Sequence, residues 1–234
     1  MFVAAIRRVE KAVFPIFRVK VDGSSTELAI SGAGFFIDSK GTFASVAHIF
    51  DGAPPGAEFK YPGRLPNDCI AHPLPITELA RDSQKDLFIG KVDLKPTGFL
   101  PLLRGVPDVG RGVCIVGYPM PNIGAAADGF DVGGVRRYPQ PSFVLDHGAW
   151  TTKDGRLHEG FLVRDVGLFG MSGGPVVDTS GWATGIQAAV YDRVCTNGTQ
   201  QILVQNAVVI KAESIQRLYD SVQPAKKAGG RKAA

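Results

Sequence analysis

Ser172 stands in Gly170-Met171-Ser172-Gly173-Gly174-Pro175, one hydroxyl on a turn flanked by glycines. Such a turn leaves room for a carbonyl carbon beside the hydroxyl. It also directs backbone N–H groups at the oxygen that becomes negative during acyl transfer. A serine hydroxyl is a weak nucleophile until a base takes its proton, so the pattern calls for a histidine and for a third group that orients the histidine. His48 follows the small apolar run Thr42–Ala47, and Asp86 opens the apolar run Leu87–Val92. Both sit where a strand end could present a polar side chain, with Asp82 as the nearest rival to Asp86.

Chain order separates the architectures that could assemble these groups. Gly170-x-Ser172-x-Gly174 also satisfies the nucleophile elbow of α/β-hydrolases, where the histidine must follow the serine. The four histidines, His48, His72, His147 and His158, all precede Ser172, so that triad cannot be completed here. The order Asp, His, Ser remains formally open through Asp22 or Asp38. The order His48, Asp86, Ser172 is that of a double-barrel, all-β peptidase. His72, His147 and His158 read as surface or loop histidines without a role.

The elements that would position these residues are short strands. Glycine (29 residues) and proline (16) are spread along the chain between short apolar runs, which favours an all-β protein. Strands are expected at 13–21, 28–31, 32–38, 42–47, 86–92, 112–119, 143–146, 161–163, 175–178, 183–190 and 202–210. The segment 5–14 fits either a short helix or an extended arm, and 54–67 is Pro/Gly-rich and either loops or meanders. Ile215, Leu218 and Val222 recur at spacings of three and four, so 212–222 reads as a helix. The segment 95–110 is the expected link between two halves. The division that follows is an N-terminal barrel over 1–104 with His48 and Asp86, a C-terminal barrel plus helix over 105–223 with Ser172, and a disordered basic tail over 224–234.

Composition narrows the function classes. The net charge is +4, and the tail at 226–232 carries four basic residues and no acidic one, which leaves the rest of the chain neutral. A basic pI thus belongs to the tail, and no basic stripe with interleaved aromatics marks a nucleic-acid face. Three cysteines, Cys69, Cys114 and Cys195, form no CxxC pair. They give neither zinc spacing nor a complete disulfide framework, and they fit a reducing compartment. The N-terminus is apolar first and basic second, unlike a secretory signal, and no apolar run reaches the ~18 residues of a membrane span. The expectation is a cytoplasmic protein without a metal, a cofactor or a membrane partner.

Several segments together resemble the trypsin/chymotrypsin-like serine peptidases, and most nearly the bacterial HtrA (Deg) type. Gly32-Ala33-Gly34-Phe35-Phe36-Ile37 is similar to the family's G-x-G-F-[IV]-[IV] strand, and Ser45-Val46-Ala47-His48 to its T-x-A-H. Asp86–Val92 is similar to D-[LI]-A-[VL]-L-K-[VI]. Val109–Pro119 is similar to the strand that opens the second barrel, and Gly170–Pro175 to G-N-S-G-G-P. The resemblance covers most of residues 10–222 and implies two chymotrypsin-like six-stranded antiparallel β-barrels with a C-terminal helix and no PDZ module. It implies a serine endopeptidase acting on polypeptides through His48, Asp86 and Ser172. The N–H groups of Gly170 and Ser172 would form the oxyanion hole, and Val166, Phe169, Ala188 and Val190 the substrate pocket. Val166 would be the apolar floor, with Asp165 one residue away.

Departures from the family pattern matter. Met171 replaces the Asn or Asp that precedes the nucleophile, so no carboxylate waits for a freshly cut N-terminus. Ala188 lies near where digestive relatives place a hydroxyl against the triad aspartate, which implies a thinner set of partners for Asp86. The same constellation would also suit a pseudopeptidase that binds peptides without cutting them, or an esterase.

Overall fold

The computed structural model describes the chain except residues 1, 23–24, 52, 54–55, 63–72, 120–123, 127–128, 132–134, 153, 198–199 and 224–234. Cys69, His72 and the basic tail lie outside the described residues. The N-terminal segment, undecided from its pattern, forms a helix, α1 (Val3–Val9), which buries Ala5 and Val9. The chain then enters β1 (Val13–Asp22), which pairs antiparallel with β2 (Ser25–Phe36) through a bulge at Ile16/Phe17. The bulge adds local twist and lets the long hairpin bend around a core.

The first sheet continues with β3 (Thr42–Ser45), β4 (Ala57–Tyr61), β5 (Leu74–Pro75), β6 (Thr77–Asp82) and β7 (Leu87–Lys91). Its order is β5-β4-β1-β2-β3-β7-β6. It curls around phenylalanines: Phe14 meets Phe36 and Phe43, and Phe43 meets Phe88. β4 falls in the stretch expected to loop or meander, and it forms because Phe59 alternates with polar neighbours and packs on Phe50.

The second half comprises β8 (Gly112–Gly117), the small ribbon β9 (Gly124–Ala126) and β10 (Gly129–Asp131), then β11 (Tyr138–Thr151), β12 (Leu157–Val163), β13 (Pro175–Val177), β14 (Ala183–Asn197) and β15 (Gln200–Lys211). Six of these close a barrel in the order β11-β12-β15-β14-β13-β8. The expected all-β architecture with a C-terminal helix is therefore the observed one. The first sheet counts seven strands, one more than expected. The joining segment 95–110 holds no strand, only a bridge between Leu102 and Ala183.

β14 and β15 run well past the expected strand ends. They pair from Gly185/Lys211 out to Asn197/Gln200, and Val194, Ile202 and Leu203 are each more than half exposed on this arm. The closing helix, α2 (Ala212–Ser221), buries Ile215 and turns back toward the first sheet, where the Tyr219 hydroxyl donates to Asp38 at 2.8 Å. The core runs continuously between the halves, from Phe35 and Phe88 to Val116, Tyr118, Ile186 and Ile210. No helix among the described residues is long and apolar enough to cross a membrane.

Candidate active site

The backbone that presents His48 is set by what lies on either side of it. β3 buries all four of its residues, and the chain then makes a single 3₁₀ turn over Ala47–Ile49. Phe50, just past that turn, stacks on Phe88 with ring centroids 3.8 Å apart and planes at 19°. Phe88 is two residues beyond Asp86, so one aromatic contact fixes the two segments that carry His48 and Asp86. Both rings are buried, and their stacking holds the short turn in register. Arg81 lies over both rings, 5.9 Å from the Phe50 centroid and 5.5 Å from that of Phe88.

Asp86 meets His48 twice. Its Oδ1 accepts the His48 backbone N–H at 2.8 Å, and its Oδ2 lies 2.8 Å from His48 Nδ1. An ionised carboxylate only accepts, so Nδ1 carries the proton and Nε2 is left free to take another. Asp86 is 1% exposed. It is also the only non-glycine residue with positive φ (57°) among the described residues. A left-handed aspartate costs about 1–3 kcal/mol and persists only where its surroundings over-determine it. Here two donors on His48 and the buried Leu87-Phe88 that follow supply that constraint.

Two further partners come from the second barrel, and both lie outside the sequence-derived set. The hairpin between β11 and β12 reaches across to the first sheet, where Leu157 N donates to Gln84 O at 2.9 Å. Arg156 Nη1 donates to Asp86 Oδ1 at 2.6 Å, and its Nη2 to Asp51 Oδ2 at 2.7 Å. His158, expected to be a surface or loop histidine without a role, is instead 1% exposed, with Nε2 3.3 Å from Asp86 Oδ2. That approach is too oblique for a well-formed hydrogen bond, so His158 acts on the carboxylate as a nearby N–H dipole. The thin shell inferred from Ala188 is thus filled by side chains from another strand. Burial pushes the Asp86 pKa up, but the neighbouring N–H dipole of His158, the hydrogen bonds from His48 and the attraction of the His48 ring outweigh it. The carboxyl ends well below its usual range. Burial also works against the Arg156 charge, and Asp86, Asp154 and Asp51 more than offset it.

The Ser172 turn is built by close approach between the halves. The Ala33 N–H of β2 donates to Ser172 O at 2.8 Å, and Ser45 Oγ donates to Ala33 O at 2.8 Å. A Cβ on Gly32 would lie 2.6 Å from Ser172 O and 3.0 Å from Ile49 Cγ2. The turn bearing Ser172 and the turn bearing His48 therefore meet at a residue that must lack a side chain. No hydrogen bond joins Ser172 to His48 among the described residues, and links of this kind tighten when substrate is bound.

The backbone of the turn divides its N–H groups into two sets. Met171 N donates to Leu168 O at 3.0 Å, Gly173 N to Gln187 O at 2.9 Å and Gly174 N to Met171 O at 2.9 Å. The N–H groups of Gly170 and Ser172 make no hydrogen bond among the described residues. Gly170 has φ +91° at the third position of the turn closed by Leu168 and Met171, a type II geometry that favours glycine there. Gly173 has φ +84°, and a Cβ there would collide with the Ala33 carbonyl. Met171, without a charge to offer an ammonium, is fully buried and packs with Val113, Ile115, Val163 and Val176.

The residues expected to contact substrate, in the two segments 166–169 and 188–190, differ in exposure. Val166 is half-buried, Ala188 is buried and Val190 is exposed, while Phe169 is 91% exposed at the lip. Asp165, the alternative floor, has its carboxylate 3.2 Å from Arg164 Nη2. Gln187 was not singled out from sequence. It is buried, its Nε2 lies where a Cβ on Gly167 would be, and its Oε1 has no partner among the described residues. It therefore occupies the space between the two segments. One sequence signal existed, a polar residue in an otherwise apolar strand, Ile186-Gln187-Ala188-Ala189.

Comparison with known proteins identifies the family and the fold. Residues 32–186 match the model of the trypsin-like peptidase domain. The chain is 26% identical over 176 residues to the uncharacterized protein y4bJ of Sinorhizobium fredii (strain NBRC 101917 / NGR234). That match covers 75% of this chain and 24% of the relative, so the chain spans about a quarter of the length of that protein. Among solved structures, the active form of the Rv3671c protease from M. tuberculosis superposes with a TM-score of 0.67 at 18% identity, over 96% of this chain and 86% of that one. The HtrA-type protease AlgW with a decapeptide superposes with a TM-score of 0.69 at 16% identity, over 95% of this chain and 67% of that one.

Proposed function

The chain belongs to the trypsin-like peptidase family of serine endopeptidases, and from that premise we propose that Ser172, His48 and Asp86 are its reacting groups. Ser172 Oγ attacks the scissile carbonyl as His48 Nε2 takes its proton. The proton then passes to the leaving amine, and water hydrolyses the acyl-enzyme by the same path in reverse. Asp86 holds the ring in the tautomer that keeps Nε2 open. The free N–H groups of Gly170 and Ser172 receive the oxyanion. The observation that carries this reading is that unengaged pair on one turn, set beside a His48–Asp86 couple. Labelling by a fluorophosphonate, lost in the Ser172→Ala chain, tests it together with turnover of peptide and ester substrates. Labelling without peptide turnover would favour an esterase, and peptide binding without labelling a pseudopeptidase.

Geometry at Gly173 gives a sharper expectation. Gly173→Ala forces a side chain into a left-handed residue against the Ala33 carbonyl, so the Ser172 turn must move. A displacement near 1 Å costs about 10²-fold in rate. Steady-state kinetics normalised by active-site titration reads this loss directly, and unchanged turnover would mean the turn is not the reacting element.

For specificity we propose cleavage after small or medium aliphatic residues such as Ala, Val, Leu or Met. Val166 and Ala188 present apolar surface, and the Asp165 carboxylate is already engaged by Arg164. A substrate Lys or Arg would therefore lack a buried counter-charge. Discrimination among aliphatic residues is expected to be shallow, at about 1–3 kcal/mol per methylene. Peptides differing only at the residue before the cut will show it, and a strong preference for Arg or Lys would return Asp165 to the pocket floor. The polypeptide is the one partner this reading requires. Cys114 and Cys195 are free thiols, which suits a reducing, cytoplasmic setting.

A further inference from the structure

Asp86 is carried by the first sheet, yet among the described residues its only cationic side chain apart from the histidines comes from the second barrel. Its Oδ1 takes two donors, the His48 N–H at 2.8 Å and Arg156 Nη1 at 2.6 Å, while Oδ2 faces His48 Nδ1. Without Arg156, Oδ1 would retain one donor and the carboxylate could pivot away from the ring. The guanidinium also shares the negative charge that the His48 imidazolium would otherwise have to itself.

We propose that Arg156 is a positioning residue for His48, one that fixes the Asp86 carboxylate and sets the pH range over which the ring accepts a proton. The proposal rests on the reading of Ser172, His48 and Asp86 as the reacting groups. Its physical basis is the accounting of charges around Asp86. Asp51, beyond the His48 turn, is held by Arg81 at 2.6 Å and by Arg156 at 2.7 Å. Arg81 on β6 is shared with Glu78. Lys85, next to Asp86, pairs with Asp82 at 3.7 Å. Asp154 lies 2.8 Å from Arg156 Nε. His158 stands over Oδ2 and closes that side from solvent. Of the lysines and arginines in this group, Arg156 alone touches Asp86. Its side chain is 18% exposed, so solvent screens it only in part.

Arg156 is also suited to the task by shape. A planar guanidinium can span Asp51, Asp86 and Asp154 at once, whereas an ammonium is a single point of charge. A cation that lies against the carboxylate weakens the carboxylate's hold on a protonated ring, so its removal raises the basicity of His48.

The test follows the His48 ring by NMR across pH in the full chain, alongside pH profiles of kcat/KM. Arg156→Met removes the charge and keeps most of the reach. The expected result is a His48 titration midpoint, and an acidic limb of kcat/KM, raised by about one pH unit. The plateau rate per titrated site is expected to fall about tenfold or more, because a loosened carboxylate orients the ring less well. Arg156→Lys restores the charge and brings the midpoint back toward the wild type, with only part of the rate. A His48 midpoint unmoved in Arg156→Met overturns the proposal, even if fewer sites titrate, because a purely structural role changes the number of competent molecules and not the basicity of the ring. A midpoint that moves in a chain without Ser172-dependent turnover supports the proposal for Arg156 and sinks the peptidase reading instead.

Discussion

Purified Ser172→Ala chain is expected to hydrolyse peptides about 10⁶-fold more slowly than the wild type, the loss that removal of a triad nucleophile produces. The substitution deletes one oxygen and leaves the rest of the turn in place. Ser172 is held by its carbonyl, which accepts from Ala33 N–H, and no hydrogen bond of its hydroxyl contributes to that hold. Folding should therefore be unaffected, and the fall in rate reports chemistry alone. Residual turnover above the uncatalysed rate comes from the N–H groups of Gly170 and Ser172, which alanine retains. Rate measurement on protein of unchanged melting temperature checks this, and full activity would place the nucleophile elsewhere.

Asp86→Asn is expected to cost about 10⁴-fold, by inversion of a tautomer. The new amide has one acceptor and one donor end. At the Oδ1 position the NH₂ would face two donors, the His48 N–H and Arg156 Nη1. It therefore takes the Oδ2 position, opposite His48 Nδ1 and the oblique Nε2 of His158, because an imidazole can shift its proton whereas a backbone N–H and a guanidinium cannot. His48 Nδ1 must then accept, its proton moves to Nε2, and the ring no longer serves as a base. Stability should change less than activity, because Arg156 keeps Asp51 and Asp154. The difference should also depend on pH. The Asp86 carboxyl is held below its usual range in the folded chain. Its ionised form thus contributes stability that is complete above the unfolded value of about 3.9 and is lost as pH falls toward the folded value. Melting curves of wild type and Asp86→Asn should separate at neutral pH and converge on acidification. An Asn variant with wild-type turnover would exclude Asp86 as the orienting group.

What the sequence made legible was local. Ser172, His48 and Asp86 each lie in a short run whose residue types constrain one another, such as glycines around a hydroxyl or a carboxylate opening an apolar strand. The periodic helix at 212–222 follows from the same kind of short-range pattern. Arg156 and His158 gave no such signal. Their roles depend on where the β11–β12 hairpin lands on the first sheet, a contact between residues about 70 apart in sequence. An arginine after a turn and a histidine in a polar stretch look solvated until that packing is known. The outer halves of β14 and β15 were missed for a different reason. Asp192, Arg193 and Gln205 break the apolar run, and the arm pairs with itself and leaves Val194 and Leu203 exposed.

The hydrogen bond from Ala33 to Ser172 and the ion pair from Arg156 to Asp86 have a consequence for the life of the chain on the ribosome. Each half lends the other a part that the site cannot do without. The first half can be synthesised and can curl around its phenylalanines while the nucleophile is still untranslated. The Ser172 turn, once made, has no closed barrel beneath it until β15 arrives to pair with β12 and β14. The proposed site therefore assembles only once β15 has joined the barrel. A site assembled in this order takes its timing from which strand comes last.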